Sequence, residues 1–377
     1  MKRGRVSMFV CGPTVQSLMH LGHARTYIFY DVVARYLAWL GYDVEYLMNI
    51  TDVDERITQE AKKSGTSPGE LAGRFSKLFL EDMAALNITS VRRFEPVSSH
   101  VDEMIEQVET LLKKGHAYIV GGWVYFDAST FPSFGKLSHQ SKKELSLRPL
   151  ELSLQKRNLL DFALWRPETL VEGMWKSPWG IGSPGWHIQD TALTISLLGP
   201  RYDIHGGAYE LIYPHHEAEI AQAESLTGQT PVVKYWIHTR LVNMRGEKMS
   251  KSLGNVFAAR DALKHYSADE LRLFFLSTHY RTDMDLDGLE KAVARFRRLR
   301  ETARSLAPST GVKEVKGAIL PASFISAMND DFDTLGAIDA IETFLRRAAT
   351  KHHPRERATD LASAVTAMNL LGVDLNG

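Results

Sequence analysis

Two short polar motifs stand far apart in this chain. His20-Leu21-Gly22-His23 follows a short apolar run, Val6 to Val10. Lys248-Met249-Ser250-Lys251-Ser252 sits between Gly246 and Gly254. Two imidazoles at a strand-to-helix turn can donate hydrogen bonds to phosphate oxygens at a helix N-terminus. Two lysines on a loop can offset the charge that builds on a triphosphate as pyrophosphate departs. Either motif alone carries little weight. Together, in this order, they read as two halves of an ATP site that activates a carboxylate.

The elements that would position these residues follow from the apolar pattern. Val6 to Val10 reads as a buried strand, Gly22 to Leu40 as a helix stopped by Gly41, and Val44 to Ile50 as a second strand. Strand, helix and strand in close succession form a βαβ unit and predict a parallel sheet. Such sheets bind ligands beyond the carboxyl ends of their strands. Cys11, His20, Asn49, Thr51 and Asp52 all fall at such ends. Asp52 and Asp54 suit capping of the next helix as well as a place in the site.

Residues Ser67 to Lys114 read as amphipathic helix. His116 to Asp127 alternates, with Gly121-Gly122 as a hairpin turn. The turn-rich stretch through residue 184 reads as an insertion. The sheet pattern resumes with a strand at Trp186 to Ile188, a helix through Leu198, a strand at Tyr202 to His205 and a helix opened by Pro214. From Gly288 onward the pattern predicts a helical bundle. The fold class is therefore α/β: a Rossmann-like parallel-sheet domain with an inserted connective segment, then α-helices. The expected division is 1–116 with 185–241 for activation, 117–184 for the insertion, 242–287 for the lysine loop and its surroundings, and 288–377 for the bundle.

The chain has 377 residues, 44% hydrophobic, with 45 basic and 45 acidic side chains. That is enough for two or three packed domains. A net charge of zero gives no general attraction to nucleic acid, so any RNA contact needs a local basic face. The Lys291 to Arg304 stretch is such a candidate, though a solvated helix face is the commoner use of a charge run. A single cysteine excludes an internal disulfide and suits a reducing cytoplasm. No apolar run reaches the roughly 18 residues of a membrane span, and no cleavable leader is expected.

Seven collinear stretches then carry a resemblance. They are Phe9 to Val15, His20 to Thr26, Asn49 to Asp54, Gly185 to Ile188, Asp203 to Gly207, Pro214 to Gln222 and Lys248 to Asn255. Together they resemble the class I cysteinyl-tRNA synthetases, and also the related ligase that joins cysteine to a glucosaminyl-inositol in mycothiol synthesis. The resemblance implies cysteine activation by ATP with Mg²⁺, then transfer to tRNA; the chain is expected to be a monomer and to lack an anticodon domain. It implies His20, His23, Lys248 and Lys251 as catalytic residues, with Gly12, Gly22 and Ser250 beside them at the nucleotide. It implies Cys11, Thr51, Trp186 and His205 around the amino acid.

The resemblance also implies a Zn²⁺ that holds the substrate thiol. Its ligands carry over as Cys11, His215 and Glu219, and the last two project from one face of a helix. The fourth family ligand is a cysteine, and here Asp190 holds its place. A Cys-Asp-His-Glu site is chemically feasible but harder. The departure keeps other readings open. One is a ligase for another amino acid, amine or carrier. Another is a non-catalytic nucleotide- or RNA-binding paralog. Cys11 as a plain buried apolar residue and His215–Glu219 as an ordinary helix pair are the bland alternatives.

Overall fold

The computed structural model describes residues 4–148, 155–167, 174–244, 246–248, 257–310 and 319–375. The chain divides into two compact units. Met1–Leu18, Val44–Phe79 and Val91–His238 form the first; Met19–Asp43, Leu80–Ser90 and Thr239–Gly377 form the second.

In chain order the first strand–helix–strand run is β1 (Arg5–Val10), α1 (Leu21–Trp39) and β2 (Asp43–Ile50), as the apolar pattern predicts. Next come α2 (Glu55–Ser64), α3 (Pro68–Ala85), β3 (Arg93–Pro96) and α4 (Val101–Lys113). The continuous helical reading of Ser67 to Lys114 is corrected here. Asn87 turns with φ of 56°, and β3 then joins the sheet beside β2 in parallel register, Leu47 opposite Arg93. Four residues are too few to show a strand's alternation.

The inserted stretch holds β4 (Ala117–Val120), β5 (Trp123–Phe126), α5 (Lys142–Ser146), β6 (Phe162–Pro167), β7 (Trp175–Ser177) and β8 (Gly180–Pro184). These strands make a second sheet in the order β4-β5-β6-β8-β7, antiparallel throughout. Gly121 and Gly122, both at positive φ, form its first turn. Phe126, Phe162 and Trp165 of this sheet pack with Val108 and Leu111 of α4 in one buried cluster. Each fully buried phenylalanine contributes about 1.5–3 kcal/mol.

The first unit closes with α6 (Trp186–Leu198), β9 (Tyr202–Ala208), α7 (Glu217–Thr227) and β10 (Val233–Thr239). Trp186 to Ile188 is thus the first turn of a helix and not a strand. Gly185 sits at its N-cap, against Ala163 O, where an added Cβ would lie 1.9 Å from that oxygen. The turn starts directly from β8, leaving no room for a further strand. Pro214 opens the next helical run as predicted: Tyr213 before it is extended, the chain kinks there, and the run through His216 leads into α7. The main sheet has the order β10-β9-β1-β2-β3, with β1 parallel to β9. Met8, Phe9 and Val10 are fully buried at its centre.

The second unit contains α1 and the segments that follow β10. These are β11 (Val242–Met244), β12 (Glu247–Lys248), α8 (Ala259–Ala262), α9 (Ala268–Leu276), β13 (Met284–Asp285), α10 (Leu289–Thr310), α11 (Ala322–Asn329), α12 (Thr334–Thr350) and α13 (Pro354–Leu370). The expected C-terminal helices are present, α10 packing on α9, α12 and α13. On α10, Arg295 pairs with Glu342 and Arg297 with Glu270, so part of that basic run serves the fold. Arg272 of α9, fully buried, donates to Asp31 Oδ2 at 2.7 Å and to the carbonyls of Leu86, Asn87 and Leu371. Among the described residues no helix is long and apolar enough to cross a membrane.

Candidate active site

The first unit gathers a thiol, several imidazoles and two carboxylates at the carboxyl ends of its central strands. Cys11 follows the last residue of β1, and its N–H donates to Gly206 O of β9. Its Sγ lies 3.2 Å from His216 Nε2, 3.3 Å from His205 Nε2 and 3.5 Å from Asp190 Oδ2. His215 Nε2 stands between Asp190 Oδ2, at 2.8 Å, and Glu219 Oε1, at 2.9 Å. Asp190 Oδ1 accepts from Asn49 Nδ2 at 2.9 Å, and the same amide reaches Thr51 Oγ1 at 3.1 Å. All eight of these side chains (Cys11, Asn49, Thr51, Asp190, His205, His215, His216, Glu219) are buried.

Local structure explains how residues so distant in sequence meet. α6 leaves Gly185 with Trp186, His187 and Asp190 on its first turns. The chain kinks at extended Tyr213, and both His215 and His216, which follow it, are buried at the start of α7. Gly207 gives His216 its room: a Cβ there would lie 3.1 Å from His216 Cε1 and 2.9 Å from Leu211 Cδ1. Gly12 is needed equally closely. Its N–H donates to Asn49 Oδ1 at 2.6 Å, and a Cβ would fall 1.7 Å from Asn49 O.

Two tryptophans wall the cluster. Trp186 stacks on His215 with ring centroids 4.2 Å apart, and Trp236 stacks on His205 at 4.3 Å. The Arg56 guanidinium lies over Trp186 at 5.4 Å. Further nitrogens orient the imidazoles: His187 Nδ1 meets His215 Nδ1 at 2.9 Å, His238 Nε2 meets His216 Nδ1 at 2.8 Å, and Tyr202 Oη meets His205 Nδ1 at 2.6 Å.

Burial dominates the electrostatics. It pushes the Cys11 thiol well up, and Asp190 and Glu219 push it further. It drives His187, His205 and His216 well below their ordinary value, so those rings are neutral. His215 goes the other way, up to about 10: burial opposes its charge, but Glu219 and Asp190 outweigh burial. Burial raises Glu219 as well.

The donor set fits a divalent ion of intermediate softness. One donor atom each from Cys11, His215, His216 and Glu219 lies within 4.8 Å of the others. Glu219 Oε1 is buried without a hydrogen-bond partner, despite its ion-pair distance to His215. Three of the four expected ligands belong to this set, and Asp190 touches two of its members. His216 was not foreseen; the signal available was its adjacency to His215. His187, His238 and Trp236 were also missed, and no spacing pattern marks them.

The second unit carries the other predicted groups. His20 caps α1: its Nδ1 accepts from the N–H of Gly22 at 3.1 Å and of His23 at 3.4 Å. His23 Nδ1 in turn accepts from His20 N at 3.5 Å, and the two rings stack 3.8 Å apart. With both Nδ1 atoms accepting, each neutral ring carries its proton on Nε2. Lys248 falls on β12. Ser250 and Lys251 lie outside the described residues. In the first unit, Asp54 caps α2, while Asp52 accepts from Ser98 at the start of the turn before α4.

Comparison with known proteins gives this geometry its context. The chain is 40% identical to a cysteine–tRNA ligase of Heliobacterium modesticaldum, over all of this chain and 84% of that protein. It is 45% identical to a cysteine–tRNA ligase of Thermoplasma acidophilum, over 88% of this chain and 75% of that one. Its fold is similar to that of Mycobacterium tuberculosis methionyl-tRNA synthetase in complex with methionyl-adenylate, with a TM-score of 0.67 at 16% identity, covering 97% of this chain and 89% of that one. Residues 1–295 match the family described as tRNA synthetases class I (C) catalytic domain, and the chain belongs to that family.

Proposed function

We propose that the protein activates cysteine with ATP and passes the cysteinyl group to the terminal adenosine of tRNA. One observation carries this reading: a buried thiol, imidazole and carboxylate cluster, walled by Trp186, at the strand ends of a chain whose relatives are cysteine–tRNA ligases. An oxygen of the substrate carboxylate bonds to the α-phosphorus of ATP as the bond to pyrophosphate breaks. No enzyme nucleophile is needed, so the protein's contribution is position and charge. The Nε2–H groups of His20 and His23 donate to phosphate oxygens, with Gly22 at the same helix start. Lys248 and Lys251, with Ser250 between them, offset the charge on the departing pyrophosphate. Gly12 lets the backbone approach the nucleotide closely, and Mg²⁺ arrives with ATP.

Cys11, His215 and Glu219 would hold a zinc ion, with Asp190 beside them. When bound, the ion would supply a Lewis acid of intermediate softness for the thiolate of the amino acid. Thr51 and His205 complete that pocket, His205 being held through Tyr202. Residues 1–116 and 185–241 serve activation in this reading, 117–184 connect, 242–287 carry the lysine loop and the contact to the acceptor stem, and 288–377 form the helical bundle.

Isotope exchange between pyrophosphate and ATP, run with each amino acid in turn, tests the proposal. Exchange driven by cysteine alone is expected. Exchange driven by another amino acid, or by none, overturns it. Charging of tRNA against transfer to small amines then checks the acceptor.

A further inference from the structure

The aspartate at position 190 leaves the site one thiolate poorer than the resemblance implies, and the structure shows what stands in the gap. His216 is fully buried, and its Nε2 is 3.2 Å from Cys11 Sγ. Its donor atom belongs to the mutually close set with Cys11, His215 and Glu219. Its other nitrogen, Nδ1, is held by His238 Nε2 at 2.8 Å, the outer bond that fixes the ring of a metal-ligating histidine. Gly207 is what admits the ring. Asp190 touches Cys11 and His215 through Oδ2 but does not belong to that set. His205 also lies near Cys11, but it does not belong to the mutually close set.

We infer that His216 ligates the metal through Nε2, so that this chain holds its ion with two imidazoles, one thiolate and the Glu219 carboxylate. Imidazole lies between thiolate and carboxylate in softness, so a second ring restores part of the character that a carboxylate at position 190 removes. The two imidazoles are neutral donors. They leave the bound ion with less negative charge around it than three anionic ligands would, which favours an incoming thiolate. This inference rests on the metal reading given under the proposed function.

X-ray absorption at the zinc edge of the zinc-loaded full-length protein tests it. Two imidazoles, one sulfur and at least one oxygen are expected around the ion. His216→Ala should remove one imidazole from the count and weaken zinc binding by more than about 10-fold, as read by competition with a chelator. His205→Ala should leave the count at two. The unsubstituted protein alone decides the matter if a variant does not fold. A single imidazole in the unsubstituted protein, or a count unmoved by His216→Ala, overturns this inference and leaves the metal site standing. Failure of the unsubstituted protein to take up zinc overturns both.

Discussion

Arg272 in the second unit and the imidazoles around Cys11 in the first are equally cut off from water, yet they are bonded differently. Arg272 spends its guanidinium on Asp31 and on three carbonyls, and Asp31 also accepts from Arg35 and from the N–H groups of Thr89 and Ser90. Each charge there has a fixed partner. Around Cys11, Asp190 and Glu219 share one charged ring, that of His215, and Glu219 Oε1 has nothing beyond its 2.9 Å ion pair with it. A fully satisfied buried network holds a fold, whereas a partly satisfied one made of soft donors is arranged to receive something.

Four experiments break or sharpen that contrast. The largest effect should come from Arg272→Met, which leaves Asp31 with Arg35 as its remaining arginine partner and strands the carbonyls of Leu86, Asn87 and Leu371. Urea unfolding should show a loss of about 3–5 kcal/mol. A loss under 1 kcal/mol would place the hub among ordinary surface pairs. Cys11→Ser should show the opposite profile. Its stability should change by no more than about 1 kcal/mol, while cysteine-dependent exchange falls by at least the roughly 10–100-fold that loss of an outer metal partner costs. Retained exchange would make Cys11 a mere core residue.

Trp186→Phe keeps an aromatic wall on His215 but trims it. KM for cysteine should rise about 3–10-fold with kcat less affected, matching the loss of part of an aromatic contact. An unchanged KM would remove Trp186 from the pocket. The smallest effect belongs to Asp31→Asn at low pH. Burial pushes the Asp31 carboxyl up, but Arg272 and Arg35 hold it below its ordinary value. Its contribution is therefore present above pH of about 3.9 and lost as pH falls through the lower folded-state value. The acid limb of the stability curve should flatten in the variant, and an unchanged limb would contradict the assignment.

Much of this was legible from residue order. β1, α1 and β2 show their types by apolar period, and the hairpin at Gly121-Gly122 by its turn chemistry. Cys11, His215 and Glu219 were reachable through the resemblance. β3 was not, because four residues carry no period and its place is decided by pairing with β2. Trp186 to Ile188 looked like a strand because an apolar start to a helix buried on several sides has no clear face. His216 was hidden because neighbours on a helix point about 100° apart, and nothing in the spacing says that both sides of this helix start are buried. His187 and His238 act through rings that touch only after the chain has folded.

The position of β1 has a consequence for synthesis on the ribosome. Its neighbour β2 follows within forty residues, but its other edge waits for β9, where Phe9 meets His205. At about 5–20 residues per second, that edge stays unpaired for roughly 10–40 s. Throughout that interval the nascent chain exposes an apolar strand border, and a chaperone that shields it should raise the yield of native protein.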